Sequence, residues 1–296
     1  MSAKSPKLKD PVQAFRYPGG KGKICWDIVK SFPPRVTHAI CSDVSFYCEP
    51  FVGSGAMLAR VLLVLPPSAG VILGDRDVGI ASFWRCLCDP AKTERLSRAV
   101  LNFTPTLDAF FRFKELDGTH DGDDVVTGFR KLALHQMSFS GVGAKAGGPI
   151  GGKGQRGVYD VTCRFRPERH VANIASLRHR LAKLRGGVQV VHGDFAEALG
   201  RIPVRGGFAY LDPPYYLKGE QLYVHSMNPA DHDRLAGLLR HAAFDWVLSY
   251  DDHPEVHALY RDWAEIRAFK MTATIETKKG AGARRKNHEL VIANRI

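Results

Sequence analysis

The residues with the clearest chemical potential are a carboxylate, two prolines and an aromatic ring in a row, at positions 212–215. They follow the apolar run 207–211, which predicts a buried strand, and open α/β sheets bind ligands at the carboxyl ends of strands. Because proline has no N–H and a fixed φ angle, the Pro213 carbonyl is available to accept a hydrogen bond from a ligand. Asp212 offers a second acceptor and Tyr215 a flat ring face. This set suits a planar base with an exocyclic amine; the alternative is a turn with a solvated carboxylate.

A glycine loop is the second candidate site. A strand is predicted at 44–48, followed by Glu-Pro-Phe-Val-Gly-Ser-Gly at 49–55 and then by a helical pattern. Strand, glycine loop and helix together are typical of nucleotide binding. Leu58 replaces the third glycine of G-x-G-x-x-G, which argues against a dinucleotide, but Gly53 and Gly55 still permit close backbone approach to a ligand.

An acidic residue follows the glycine loop at a sequence spacing that is typical of nucleotide-binding folds. The predicted strand 71–75 ends in Asp75, 20 residues after Gly55, which is the spacing at which an acid hydrogen-bonds a ribose hydroxyl. A helix N-cap is the alternative role for this side chain. Further strands are predicted at 188–192, 246–250, 264–269 and 288–294, and helices across most of 78–140, at 174–184 and at 229–241.

Bulk composition limits the class of protein. The chain has 296 residues, 45% of them hydrophobic, which is enough for one large or two modest domains. No apolar run approaches the length of a membrane span and the N-terminus lacks the pattern of a signal peptide, so a cytoplasmic location without membrane contact is expected. The six cysteines show no C-x-x-C pair, and no metal site is expected.

The charge points to a polyanionic partner. The net charge is +12, and residues 141–185 contain ten Lys and Arg against two acids. Residues 141–157 contain eight glycines, which predicts a mobile basic loop able to order on a phosphate backbone. General solubility is the alternative explanation, and charge alone does not distinguish DNA from RNA. The expected nucleic-acid contacts are Lys145, Lys153, Arg156, Arg164 and Arg166.

Taken in order, the motifs resemble those of the DNA adenine-N6 methyltransferases of the Dam (D12) class. The glycine segment, the Asp-Pro-Pro-Tyr segment and the Gly-Asp-Phe of the family all have counterparts. The family's N-terminal cofactor motif is also matched, with Tyr17 where Trp is usual. The segments that carry the resemblance are 15–21, 49–55, 73–77, 193–195, 212–215, 249–250 and 286–294.

The resemblance implies a fold and a domain organisation. The expected fold is α/β, a Rossmann-like S-adenosylmethionine-dependent methyltransferase sheet of seven strands with an inserted, mainly helical target-recognition domain. The catalytic domain would be discontinuous, comprising 1–90 and 187–296. The insert would be 91–186 and would contain the basic Gly-rich loop at 141–157.

It also implies roles for individual residues. S-adenosylmethionine would be the cofactor, and the protein would act as a monomer on double-stranded DNA. Asp212, Pro213 and Tyr215 would be catalytic and bind an adenine flipped out of the duplex. Asp194 has a helix N-cap as its alternative role. The residues expected to bind the cofactor are Tyr17, Lys21, Glu49, Gly53, Gly55, Asp75, Asp194 and Asp212.

Other reactions can be compared with this one. Cytosine-C5 methylation needs a cysteine nucleophile, usually in a Pro-Cys pair, and none of the seventeen prolines precedes a cysteine. Cytosine-N4 methylation presents the same amine geometry, and Asp rather than Ser before Pro213 favours adenine by resemblance only. In a non-catalytic DNA-binding regulator, loss of Asp212 or of the glycine loop would be expected, and both are present.

Overall fold

The computed structural model describes residues 44–139, 147–216, 226–271 and 287–294, together with Ala14 and Ile28. The strands are β1 (Phe46–Glu49), β2 (Gly70–Asp75), β3 (Val188–His192), β4 (Gly207–Leu211), β5 (Asp245–Asp251), β6 (Ala264–Met271) and β7 (Asn287–Asn294). The helices are α1 (Leu58–Val61), α2 (Val78–Cys88), α3 (Pro90–Leu101), α4 (Leu107–Glu115), α5 (Asp124–Met137), α6 (Pro167–Leu181), α7 (Phe195–Leu199), α8 (Pro229–Arg240) and α9 (Pro254–Tyr260).

The strands form one seven-stranded sheet in the order β3-β2-β1-β4-β5-β7-β6. The strands from β3 to β5 are parallel, and β7 lies antiparallel between β5 and β6. The chain moves outward from β1 in one direction and from β4 in the other, so the topological switch point lies between these two strands. The seven-stranded, Rossmann-like α/β sheet predicted from the sequence is confirmed.

Both faces of the sheet are covered by helices. Alternate residues of a strand point to opposite faces, so the sheet contributes to two apolar cores. Tyr47 and Phe208 belong to the core that contains residues of α2 to α6, whereas Cys48 and Ala209 belong to the core that contains residues of α7 to α9. The result is three layers, with the sheet between two layers of helices.

The helices between 91 and 181 share a core with the sheet. Leu96, Leu132 and Ile174 lie in the same buried cluster as Val71 and Phe208. The region predicted as an insert thus shares one apolar core with the sheet. Its proposed boundaries at 91 and 186 stay a prediction.

Helices α2 and α5 approach each other closely where each has a glycine. A Cβ atom added to Gly79 would lie 2.8 Å from the Cβ of Lys131, and one added to Gly128 would lie 2.7 Å from the backbone nitrogen of Phe83. Only a residue without a side chain fits at these two positions. The contact fixes α5 of the helical layer directly against the helix that follows β2.

The described part of the basic loop has a defined internal structure. The Gln155 side chain donates to the Ile150 carbonyl at 2.8 Å and accepts from the Val161 N–H at 2.9 Å. A bridge between Ser138 and Pro149 closes the base of the loop. The sequence predicted no packed structure here because glycine is so abundant, but one side chain satisfies several backbone groups at once.

Within the described ranges, no helix is long and apolar enough to cross a membrane.

Candidate active site

Carboxylates collect at the carboxyl edge of the parallel strands. Glu49 ends β1, Asp75 ends β2 and Asp251 ends β5. Asp212 comes directly after β4, and Asp194 comes two residues after the end of β3. Because parallel strands end at the same edge, the topology gathers side chains that are far apart in sequence beside the switch point.

Asp75 connects the glycine loop to the end of β2. Its Oδ2 atom accepts the N–H of Gly53 at 3.0 Å, and its Oδ1 atom accepts the N–H of Asp77 at 2.9 Å. Gly53 has φ of 45°, a conformation that glycine adopts without strain. Asp75 therefore determines the shape of the loop, and each of its oxygens retains a lone pair. The ribose contact predicted for it stays a prediction.

Trp84 supports the same loop from α2, a role that sequence reasoning missed. Its indole N–H donates to the Gly53 carbonyl at 3.0 Å. A Cβ atom added to Gly55, where φ is 66°, would lie 2.3 Å from Cζ2 of this indole. Close packing against the Trp84 ring therefore requires glycine at position 55. The only sequence signal was that a buried tryptophan needs an acceptor for its N–H.

Glu49 is a buried acid beside the predicted catalytic carboxylate. Only 3% of it is exposed, and the Tyr47 hydroxyl donates to its Oε1 atom at 2.5 Å. Burial raises the pKa of Glu49 from 4.5 to about 8, the charge of Asp212 adds to this effect, and the hydrogen bond from Tyr47 opposes it. In the absence of a cationic ligand, Glu49 is therefore mainly protonated at neutral pH.

Asp75 has a similar electrostatic environment. Burial raises its pKa from 3.8 to about 7, and the charge of Asp77 raises it further, against the hydrogen bonds from the Asp77 and Gly53 N–H groups. Two acids that titrate near neutrality on neighbouring strands would both ionise more readily beside a bound cation. S-adenosylmethionine carries a sulfonium and an ammonium group, so this set of donors and acids fits it.

Asp194 occupies the N-cap of α7. It accepts the N–H of Ala196 at 2.9 Å and forms a capping box with Glu197. Arg234 binds both of its oxygens, at 2.8 and 2.7 Å, and the guanidinium lies 4.4 Å from the Phe195 ring centroid. The structure thus shows Asp194 in the alternative role of a helix N-cap. Its contact with the cofactor stays a prediction.

The tyrosines that follow Pro214 are both attached to the antiparallel side of the sheet. The Tyr215 hydroxyl donates to Oε2 of Glu289 at 2.8 Å. The Tyr216 N–H donates to Oδ1 of Asp251 at 3.1 Å. Sequence reasoning assigned no role to Glu289, although the closing segment containing it contributed to the resemblance. Only the pairing of β5 with β7, which are far apart in sequence, brings Glu289 next to Tyr215.

A buried cluster of ion pairs connects helix α5 to the carboxyl edge of the parallel strands. Lys131 of α5 lies 2.8 Å from Oδ1 of Asp117 and also pairs with Asp77, the N-cap of α2. Burial alone would lower the pKa of Lys131, but the charges of Asp77 and Asp117 outweigh it and raise the pKa. Asp77 in turn donates its N–H to Asp75, so the cluster is one hydrogen bond from the predicted ribose acid.

The predicted nucleic-acid contacts that the structure describes lie close together in sequence. Lys153, Arg156, Arg164 and Arg166 are all exposed, and the last two stand on either side of the buried Phe165. Tyr17, Lys21 and Lys145 lie outside the described residues. Among the residues that are described, no group of His, Cys, Asp and Glu side chains is arranged to hold a metal ion.

Comparison with known proteins identifies the family. No curated protein matches the chain. The model of the D12 class N6 adenine-specific DNA methyltransferase family matches residues 17–275, which include the glycine loop, the acids at the carboxyl edge and the segment 212–215. The match covers most of the chain and confirms the resemblance drawn from its motifs. The chain belongs to the D12 class of N6 adenine-specific DNA methyltransferases.

Proposed function

We propose that Asp212 and the carbonyl of Pro213 accept the two N6 hydrogens of an adenine flipped out of duplex DNA, while Tyr215 stacks on its ring. The reaction itself follows from the family: methyl transfer from S-adenosylmethionine to adenine N6 in DNA, at a specific site. The observation that carries the assignment is the position of these residues directly after β4, at the switch point and in the field of Glu49.

The chemistry requires help because adenine N6 is a poor nucleophile. Its lone pair is delocalised into the ring, and two hydrogen-bond acceptors draw electron density back onto the nitrogen. The cofactor supplies a methyl group on a sulfonium centre. Asp212 and Pro213 orient the amine towards it and stabilise the positive charge that develops on nitrogen, so positioning and electrostatics account for most of the catalysis. Extrusion of the base from the duplex brings it within reach of these groups.

The cofactor would lie along the carboxyl edge of β1 to β3. The backbone of Gly53 and Gly55 would line its pocket, Asp75 would accept from its ribose, and Glu49 would face its cationic end. This assignment is supported by the buried acids at that edge, whose raised pKa values match a cationic ligand. Three further residues belong to the same proposal, namely Tyr17, Lys21 and Asp194.

The DNA would lie across the exposed basic stretch. Lys153, Arg156, Arg164 and Arg166, with Lys145, would contact phosphates and position the duplex without reading its sequence. One chain contains both the acids and the basic stretch, which supports action as a monomer. We place this activity in the cytoplasm, where it would serve either alone or as the modification partner of a restriction enzyme.

The product of the reaction is a direct test. Expressed in a host without adenine methylation, the protein is expected to place N6-methyladenine in host DNA, detected by mass spectrometry of hydrolysed nucleosides. Cells expressing the Asp212→Ala variant provide the background. N4-methylcytosine in place of N6-methyladenine would contradict the base assignment, and sequencing of the methylated DNA would give the target site.

Cofactor affinity is expected to increase with pH because of Glu49. A bound cation favours the ionised acid, so binding releases the proton that a group with a pKa of about 8 still carries at neutral pH. Between pH 6 and 7.5, the affinity for S-adenosylmethionine should rise by up to about tenfold per pH unit for each proton released. Calorimetric titration in buffers of different ionisation enthalpy measures the released proton.

Glu49→Gln is the matched control for this titration. The amide has the same shape and no proton to release, so the pH dependence should flatten relative to the wild-type protein. In the cofactor-free protein, the same acid has the opposite linkage. Its raised pKa stabilises the fold below about pH 4.5, and this contribution is lost as the pH rises through about 8. An equal pH slope in both proteins would contradict the role of Glu49.

A further inference from the structure

Two acids face each other across β5 and β7, next to the proposed base site. Asp251 and Glu289 are directly opposite in the antiparallel register, so their side chains lie on the same face of the sheet. Glu289 is only 1% exposed. Because carboxyl groups placed directly opposite repel each other when both are ionised, hydrogen-bond donors stabilise such a pair.

Two of the donors come from consecutive residues that follow Pro214. The Tyr215 hydroxyl donates to Glu289 at 2.8 Å, and the Tyr216 N–H donates to Asp251 at 3.1 Å. One contact attaches the far end of a side chain and the other attaches the backbone next to it. The segment after Asp212 is therefore connected to both β5 and β7.

The Tyr216 ring strengthens the backbone attachment. It stacks on His253, with centroids 4.9 Å apart and planes 20° apart, and contacts His232 at 4.8 Å on a tilted plane. His232 is buried and contacts the Tyr250 hydroxyl of β5. The residue after Tyr215 is thus packed into the core beside β5, and the Tyr215 ring is attached separately, through its hydroxyl.

We propose that Glu289 is a positioning residue that fixes the ring plane of Tyr215 for stacking on the flipped adenine. The inference rests on the proposed role of Tyr215 and adds a residue to it. A tyrosine attached at its backbone alone can rotate about its side-chain torsions. A hydrogen bond to a buried carboxyl group at the opposite end of the ring removes that freedom, and this preorganises the stacking surface before DNA binds.

The test compares Tyr215→Phe, Glu289→Ala and the double variant on DNA carrying 2-aminopurine at the target adenine. Fluorescence of this base rises when it leaves the duplex and is quenched when it stacks on an aromatic ring. Each single variant should leave the flipped base less quenched and, on the same duplex with adenine at the target position, lower kcat/KM by about tenfold, as expected for loss of a buried hydrogen bond. The double variant should be no worse than either single one, since both remove the same contact.

Further variants separate positioning from general damage. Glu289→Gln retains an acceptor oxygen and should recover most of the quenching and activity. Tyr260→Phe removes a buried hydroxyl that makes no hydrogen bond within the described part of the chain, and it should behave as wild type. Affinity for S-adenosylmethionine should be unchanged in all of these variants.

Two outcomes would overturn the inference. Either the effects of Tyr215→Phe and Glu289→Ala multiply in the double variant, or Tyr215→Phe retains wild-type quenching and kcat/KM. Tyr215→Ala distinguishes this failure from failure of the proposed function. If it is fully active, the stacking role itself is wrong; if it is inactive while Tyr215→Phe is normal, only the contribution of Glu289 is wrong.

Discussion

Replacement of Asp212 by alanine is expected to lower kcat for adenine methylation by about a thousandfold or more while leaving DNA affinity nearly unchanged. The proposed carboxylate acts on the amine in the transition state, and removal of one such electrostatic group costs that order of rate. In the proposed function, DNA affinity derives from phosphate contacts elsewhere on the surface, so it should not depend on this side chain. Single-turnover transfer of a labelled methyl group, with a binding assay on the same duplex, measures both quantities.

Two variants make this experiment specific. Asp212→Asn retains the shape but not the charge, and its amide can place an N–H towards the adenine amine, so it should also be strongly impaired. Asp252→Ala removes a partly exposed acid paired with His257 just beyond β5, and its kcat should stay within about twofold of wild type. Normal activity of Asp212→Ala, or loss of DNA binding together with activity, would refute the proposed role.

Replacement of Lys131 by methionine is expected to destabilise the protein by about 3–5 kcal/mol, which is a large part of typical domain stability. Methionine preserves the apolar stem that packs against Gly79, so the loss is that of the charge. Asp77 and Asp117 would then be buried without their cation. Urea unfolding followed by tryptophan fluorescence measures the change in the free energy of unfolding.

Lys92→Met provides the matched comparison. Lys92 also forms a close ion pair, 2.7 Å from Asp124, but 38% of its side chain is exposed, so its loss should cost about 0–1 kcal/mol. The deficit of Lys131→Met should also be smaller at pH 5 than at pH 7.5. Carboxyls buried without a cation have raised pKa values, so protonation stabilises the folded state and this contribution is lost as the pH rises. Equal costs for the two variants would contradict the buried cluster.

The strands and the position of the acids were predictable because they depend on local sequence. Runs rich in apolar residues, such as 188–192 and 207–211, indicate strands, and the structure has strands at the same residues. Once the sheet is parallel, the acids at the ends of its strands must meet at one edge. The cytoplasmic location, the monomeric state and the residue roles remain predictions.

The contacts that shape the site were not predictable because they depend on packing between distant segments. No local pattern pairs Trp84 with the Gly53 carbonyl, or Tyr215 with a glutamate 74 residues further along the chain. Gly55 illustrates the difference. From the sequence, its lack of a side chain was attributed to close approach of a ligand. In the structure, a Cβ atom at this position would meet the indole ring of Trp84. Helical periodicity likewise predicted α5 without indicating that it would pack on α2.

The shared core of the helical layer and the sheet limits how target preference can change in this protein. A segment with its own core can be exchanged between homologues as a unit, but exchange of 91–186 would remove Leu96, Leu132 and Ile174 from the buried cluster that they share with Val71 and Phe208. The loop at 147–162 has its own internal hydrogen bonds and exposes Val158 and Tyr159 to solvent. Under the proposed function, a change of target preference is therefore expected from exchange of that loop, in which Val158 and Tyr159 are exposed to contact bases, with the helices retained.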